Sequence, residues 1–226
     1  MVNKYNSLFI DLDDTLLDYS SDEKSSVIEI LKKYDLPHDD DVIKLYSEIE
    51  VWHAFELGED ITAKTIITNK FLQLLKMLEV KDNIKELADE FYSLMLKSHK
   101  LKNGALKVLR SLKDKGYHIY ITTNGFPDFQ YKRINGSRIS KYLDGIFISE
   151  EIDLRKPSRG FFEYVIKHIP ESNRSRILVI GDAPTADIFG GINSKLDTCW
   201  LNNGDKHCKY KPTYTISNIS QLLDIL

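Results

Sequence analysis

The sequence predicts a doubly wound, Rossmann-like parallel α/β sheet carrying a small inserted α-helical domain. Three observations lead there. Short runs of β-branched and aromatic residues stop abruptly at polar residues; the later runs alternate with segments of helical period; and residues 18–101 hold no convincing strand but a succession of amphipathic helices. The boundaries that follow are an α/β core over 1–17 and 102–226 and a helical domain over 18–101.

The first strand is expected at residues 8–10, an apolar run that meets Asp11. In the helical domain, Val42, Leu45, Ile49, Trp52 and Phe55 advance by steps of three or four, as do Ile67, Phe71, Leu74 or Leu75, and Leu78. Thr62 is placed to cap the second of these helices. Asp39, Asp40 and Asp41 read as a helix start favoured by the macrodipole, because no EF-hand Gly and Glu follow at the required offsets. A helix over 105–115 leads into a strand at 118–122, and further strands are expected at 146–148, 177–180 and 198–201. Helices over 161–168 and 186–194 separate the last of them. In such sheets, ligands bind beyond the carboxyl ends of the strands.

Composition narrows the class of function. With 226 residues, 42% hydrophobic and 29% charged, the chain can bury one sizeable core, which excludes a disordered chain and a disulfide miniprotein. Lys+Arg 31 against Asp+Glu 34 lacks the basic excess that binding of a nucleic-acid polymer requires. The apolar runs fall far short of the roughly 20 residues that cross a bilayer, and Asp11 interrupts the N-terminus before a signal-like region develops. Cys199 and Cys208 are too few to staple the fold, and the His207-Cys208 pair reads as a surface turn. A cytoplasmic protein without membrane or nucleic-acid partners is expected.

Chemistry collects at four strand ends. At the first, an apolar strand runs into Asp11, Asp13, Asp14 and Thr15. Two carboxylates about 4 Å apart repel by roughly 4 kcal/mol at an effective dielectric near 20, so such a cluster calls for a cation or a shared proton. Mg²⁺, a hard ion that seeks oxygen, answers that need; an acidic turn capping the next helix is the competing reading. The second strand ends in Thr122, Thr123, Asn124 and Gly125, where hydroxyl and backbone N–H groups suit phosphate oxygens but also suit an ordinary turn. The third patch is Arg155-Lys156-Pro157, and the fourth is Gly181-Asp182 followed by Asp187.

Taken in chain order, DxDxT, Thr-Asn, Lys-Pro and Gly-Asp with a further Asp resemble the four motifs of the haloacid dehalogenase-like hydrolases. The resemblance implies a phosphatase in which Asp11 is the nucleophile, forming an aspartyl phosphate, and Asp13 the general acid and base. It implies Mg²⁺ held by Asp11, Asp182 and the backbone carbonyl of Asp13, with Asp187 orienting that shell. Thr123 and the backbone at Asn124 would bind the phosphoryl group, and Lys156 would neutralise charge on Asp11 and the phosphate. Asp13 disfavours dehalogenase chemistry, and the helical insertion resembles a cap domain. The insertion also disfavours a receiver domain, which shares the acidic cluster.

A closer resemblance is to the pyrimidine 5′-nucleotidases of that superfamily. Thr123-Asn124-Gly125-Phe126, Ser149-Glu150-Glu151, Gly190-Gly191-Ile192-Asn193 and Thr198-Cys199-Trp200-Leu201-Asn202 carry it. It implies a nucleoside monophosphate as substrate, with a sugar-phosphate or phosphoglycolate phosphatase, a phosphomutase, or a non-catalytic phospholigand sensor as alternatives. Trp52 or Phe55 could stack on the base, or both could be core; His53 faces the same choice. Three departures stand out: Asp153 and Arg155 bring extra charge near the motif lysine, Ala183-Pro184 replaces a common hydroxyl residue after Asp182, and Asn103 stands where proline is frequent.

Overall fold

The computed structural model describes residues 3–49, 62–81, 83–202, 204 and 207–226. The chain divides into two compact units, one of residues 1–18 with 100–226 and one of residues 19–99.

The first unit is built on a parallel six-stranded sheet. Its strands are β1 (Ser7–Ile10), β2 (His118–Thr123), β3 (Gly145–Ile148), β4 (Ile177–Gly181), β5 (Asp197–Leu201) and β6 (Tyr214–Ile216), in the spatial order β3-β2-β1-β4-β5-β6. Strand order reverses between β1 and β4, which makes the crevice beyond their carboxyl ends the switch point where ligands bind in open sheets. Register there is tight: Ile10 sits beside Ile121 on one side and Ile180 on the other.

Alternation along the buried strands creates two cores. Leu8 and Ile10 face Leu109, Leu112, Ile119, Ile121, Leu178 and Ile180, whereas Phe9 packs on the opposite face with Tyr120, Phe161, Phe162, Val165 and Val179. Both faces are apolar because helices cover both, so the strands read as continuous hydrophobic runs. Truncating Phe161, which is fully buried, to alanine would cost about 3–5 kcal/mol.

The second unit contains, among the described residues, only helices: α1 (Tyr19–Lys33), α2 (Asp40–Ser47), α3 (Ala63–Met77) and α4 (Ile84–Met95). Its centre is aromatic, with Phe71 stacked on Phe91 at 4.8 Å and Tyr46 edge-on to Phe91 at 6.2 Å. The Thr62 hydroxyl caps α3 by accepting from Thr65 N–H at 3.1 Å, and Asp39 caps α2 through Val42 N–H at 3.0 Å. In α2 the buried residues are Val42, Ile43 and Tyr46; Leu45 is only partly buried and Ile49 lies beyond the helix end. Trp52, His53 and Phe55 lie outside the described residues.

In the first unit, α5 (Ala105–Asp114), α6 (Pro127–Gly136), the short α7 (Ser149–Ile152) and α8 (Arg159–Lys167) connect the strands. The helix expected over 186–194 is in fact two pieces: a π-helical turn over Pro184–Phe189, then α9 (Gly190–Asn193). Proline opens the turn, where its missing N–H costs no hydrogen bond, and Ile188 N–H reaches back five residues to the Ala183 carbonyl at 3.4 Å. The edge strand β6 lies beyond the strands read from sequence, being three residues long with no apolar run to mark it.

Candidate active site

Residues that follow β1 and β4 and a lysine from the turn between α7 and α8 converge on one buried cluster. Asp11 follows β1, where its N–H continues the sheet by donating to the Ile180 carbonyl at 2.9 Å; Asp182 follows β4. Ligand oxygens of Asp11, Asp182 and Asp187 all lie within 4.8 Å of one another, and all three residues are buried. Lys156 enters between them, its Nζ 2.7 Å from Asp11 Oδ1 and 2.6 Å from Asp187 Oδ1.

The electrostatics follow from burial. Loss of water pushes the Asp11 carboxyl well above its ordinary range; the Lys156 ammonium opposes this, and Asp187 and Asp182 add to it. Burial also works against charge on Lys156, but Asp11 and Asp187 outweigh it and hold the ammonium above the usual lysine range. Three buried carboxylates around one ammonium retain an excess of negative charge. An all-oxygen donor set of that charge fits a hard divalent ion such as Mg²⁺.

Local sequence explains how each group is held. Asp187 Oδ2 accepts from Ala183 N–H at 3.0 Å across the π-helical turn, leaving Oδ1 for Lys156. Gly181 makes room for it, because a Cβ there would fall 2.1 Å from Asp187 Oδ2. Asn124 clamps the Lys156 backbone from both sides: its Nδ2 donates to the Lys156 carbonyl and its Oδ1 accepts from Lys156 N–H, each at 2.9 Å. The Asn124 side chain therefore positions the lysine rather than facing outward. The peptide between Lys156 and Pro157 is cis. Arg155 pairs with Glu150, so its charge is matched locally, and Asp153 adopts φ +53° at the end of α7.

Two further residues join this constellation that motif reading passed over. On α6, Gln130 Nε2 donates to Asp13 Oδ2 at 2.8 Å and to Thr123 Oγ1 at 3.0 Å. One turn on, Arg133 is fully buried, with Nη1 2.6 Å from Asp13 Oδ1. The spacing of these two residues, three apart on the helix after Thr123-Asn124-Gly125, was the available signal. Among the described residues, the structure brings together Asp11, Lys156, Asp182 and Asp187, and links Asp13 to Thr123 through Gln130.

A family model described as haloacid dehalogenase-like hydrolase matches residues 5–194. The HAD-hydrolase YfnB of Bacillus subtilis is 32% identical over 100% of this chain and 97% of its own. Its magnesium-bound crystal structure superposes with a TM-score of 0.86 at 33% identity, covering 99% of each chain. The pyrimidine 5′-nucleotidases PynA of Streptococcus pneumoniae and YjjG of Escherichia coli are 30% and 28% identical, over 98% and 99% of this chain and 95% and 98% of theirs. No described helix is long and apolar enough to cross a membrane. With four motifs meeting at one switch point and a family model spanning most of the sequence, the chain belongs to the haloacid dehalogenase-like hydrolases.

Proposed function

We propose that this hydrolase is a Mg²⁺-dependent phosphomonoesterase acting on nucleoside monophosphates, pyrimidine nucleotides foremost. The observation that carries the reading is Lys156 seated between Asp11 and Asp187, beside Asp182, with Asp13 two residues beyond Asp11. The base preference rests on similarity to PynA and YjjG.

Asp11 and Asp182, with the carbonyl of Asp13, would hold Mg²⁺, and Asp187 would orient the carboxylates. When bound, the ion supplies electrostatic stabilisation of a phosphate oxygen. An Asp11 carboxylate oxygen attacks phosphorus, the ester P–O bond breaks, and Asp13 delivers its proton to the departing alcohol. Water then attacks phosphorus of the aspartyl phosphate and gives its proton to Asp13, releasing inorganic phosphate and restoring Asp11. Lys156 offsets negative charge at Asp11 throughout, while Thr123 and the backbone at Asn124 hold phosphoryl oxygens.

The test is phosphate release from UMP, dUMP, dTMP, AMP, phosphoglycolate and several sugar phosphates with Mg²⁺, repeated with EDTA and with Asp11→Asn. Turnover lost in both controls and kcat/KM highest for pyrimidine monophosphates is expected. Highest kcat/KM on a sugar phosphate would overturn the nucleotide assignment and leave the phosphatase; no metal-dependent turnover by folded protein would overturn both.

A further inference from the structure

Arg133 is the largest fully buried side chain of the described molecule, and a guanidinium taken out of water needs a paired anion in compensation. The compensating anion is Asp13, at 2.6 Å. Arg133 also donates to Gln130 Oε1 at 2.9 Å, and its guanidinium lies 4.9 Å from the centre of the Phe129 ring. Because Gln130 Oε1 accepts from Arg133, its Nε2 end must face Asp13 and Thr123, so the direction of the chain of hydrogen bonds is fixed. Both Asp13 oxygens are thereby engaged from one helix, and the same amide ties Asp13 to the hydroxyl of Thr123. A structural ion pair alone would not need this second link.

We propose that Arg133, acting with Gln130, is a positioning residue that sets the Asp13 carboxyl group for proton transfer to the leaving alcohol. The inference rests on the phosphatase reading above and adds to it the residues that aim its acid. Asp11 attack and the Arg133 bracket are separate functions, so they separate in their dependence on the leaving group. An alkyl ester needs the proton, whereas p-nitrophenolate leaves without it.

The experiment compares kcat/KM for an alkyl phosphate, UMP, and for p-nitrophenyl phosphate, in the wild type, Asp13→Asn, Arg133→Met and Arg133→Lys, each with Mg²⁺ and each checked by thermal melting. Since kcat/KM reports steps only through phosphoryl transfer, the later water step does not enter. Arg133→Met is expected to lose at least about tenfold more on the alkyl than on the aryl ester, in the direction set by Asp13→Asn, with Arg133→Lys recovering part of the difference. Equal losses on both esters would overturn the proposal and leave Arg133 as a folding ion pair. Should Arg133→Met fail to fold, Gln130→Met carries the same expectation and the same overturning result. Absence of leaving-group selectivity in Asp13→Asn would instead overturn the role of Asp13 as the acid, and absence of wild-type turnover on both esters would overturn the nucleotide assignment; either result takes the proposal with it.

Discussion

The Thr15 hydroxyl accepts the Asp182 N–H at 3.1 Å and donates to Asp182 Oδ1 at 3.4 Å, fully buried, joining the loop after β1 to the tip of β4. Ala183 offers no hydroxyl beside Asp182, and Thr15 provides one from the other side of the switch point. Such outer hydrogen bonds orient ligating carboxylates, and their loss weakens metal affinity by about 10–100-fold. Thr15→Val is therefore expected to shift the Mg²⁺ concentration for half-maximal phosphate release upward by that order. An unchanged Mg²⁺ dependence in a folded variant would remove Thr15 from the site.

Binding of a cation to the carboxylate cluster should be visible without turnover. A ligand at about 100 times its Kd stabilises the folded state by about 2.7 kcal/mol, so Mg²⁺ is expected to raise Tm. Asp182→Asn removes one of the three clustered carboxylates and should abolish most of that rise. Calorimetry with and without EDTA reads the difference, and an equal Mg²⁺ response in wild type and variant would place the ion elsewhere.

Asp144 ties the start of β2 to its neighbours. Partial burial works against its charge, but the Lys113 ammonium at 2.7 Å and the Ile119 N–H at 2.8 Å win, with His118 contributing, and its carboxyl lies below the ordinary range. A carboxyl group depressed by folding contributes stability above its unfolded value and loses it as pH falls through the folded one. Asp144→Ala should cost about 1–2 kcal/mol at neutral pH, with the gap to wild type narrowing below about pH 4. Urea denaturation at pH 7 and pH 3.5 checks both the size and the sign.

The two thiols should differ sharply. Cys199 is buried within β5 and desolvation pushes its thiol up to about 12, whereas Cys208 is partly exposed. The thiolate is the reactive form, so a thiol-specific disulfide reagent near neutral pH should modify Cys208 in native protein and Cys199 only after denaturation. Mass spectrometry of the labelled peptides identifies the site, and rapid native labelling of Cys199 would contradict the packing of β5.

Much of this arrangement was legible in the residues themselves. Five strands were readable because each is a continuous apolar run ended by a polar residue, as a sheet covered on both faces requires. The chemistry of Asp11, Thr123 and Asp182 was readable because each stands immediately after, or at the end of, such a run, and that of Lys156 because a proline follows it ahead of a helical stretch. The edge strand β6 carries no comparable signal, and the break in the helix before Gly190 depends on Asp187 bonding back to Ala183.

The sequence by itself determined the α/β class, the four chemical patches and the membership of the family, since periodicity and short motifs are local properties of the chain. Tertiary structure alone decided that Lys156 spans Asp11 and Asp187, that Thr15 serves Asp182, and that Arg133 and Gln130 grip Asp13. These partners are separated by 31 to 167 positions along the chain. No local pattern encodes such pairings: parallel strand order brings them together, and burial then makes each unpaired charge too costly to leave alone.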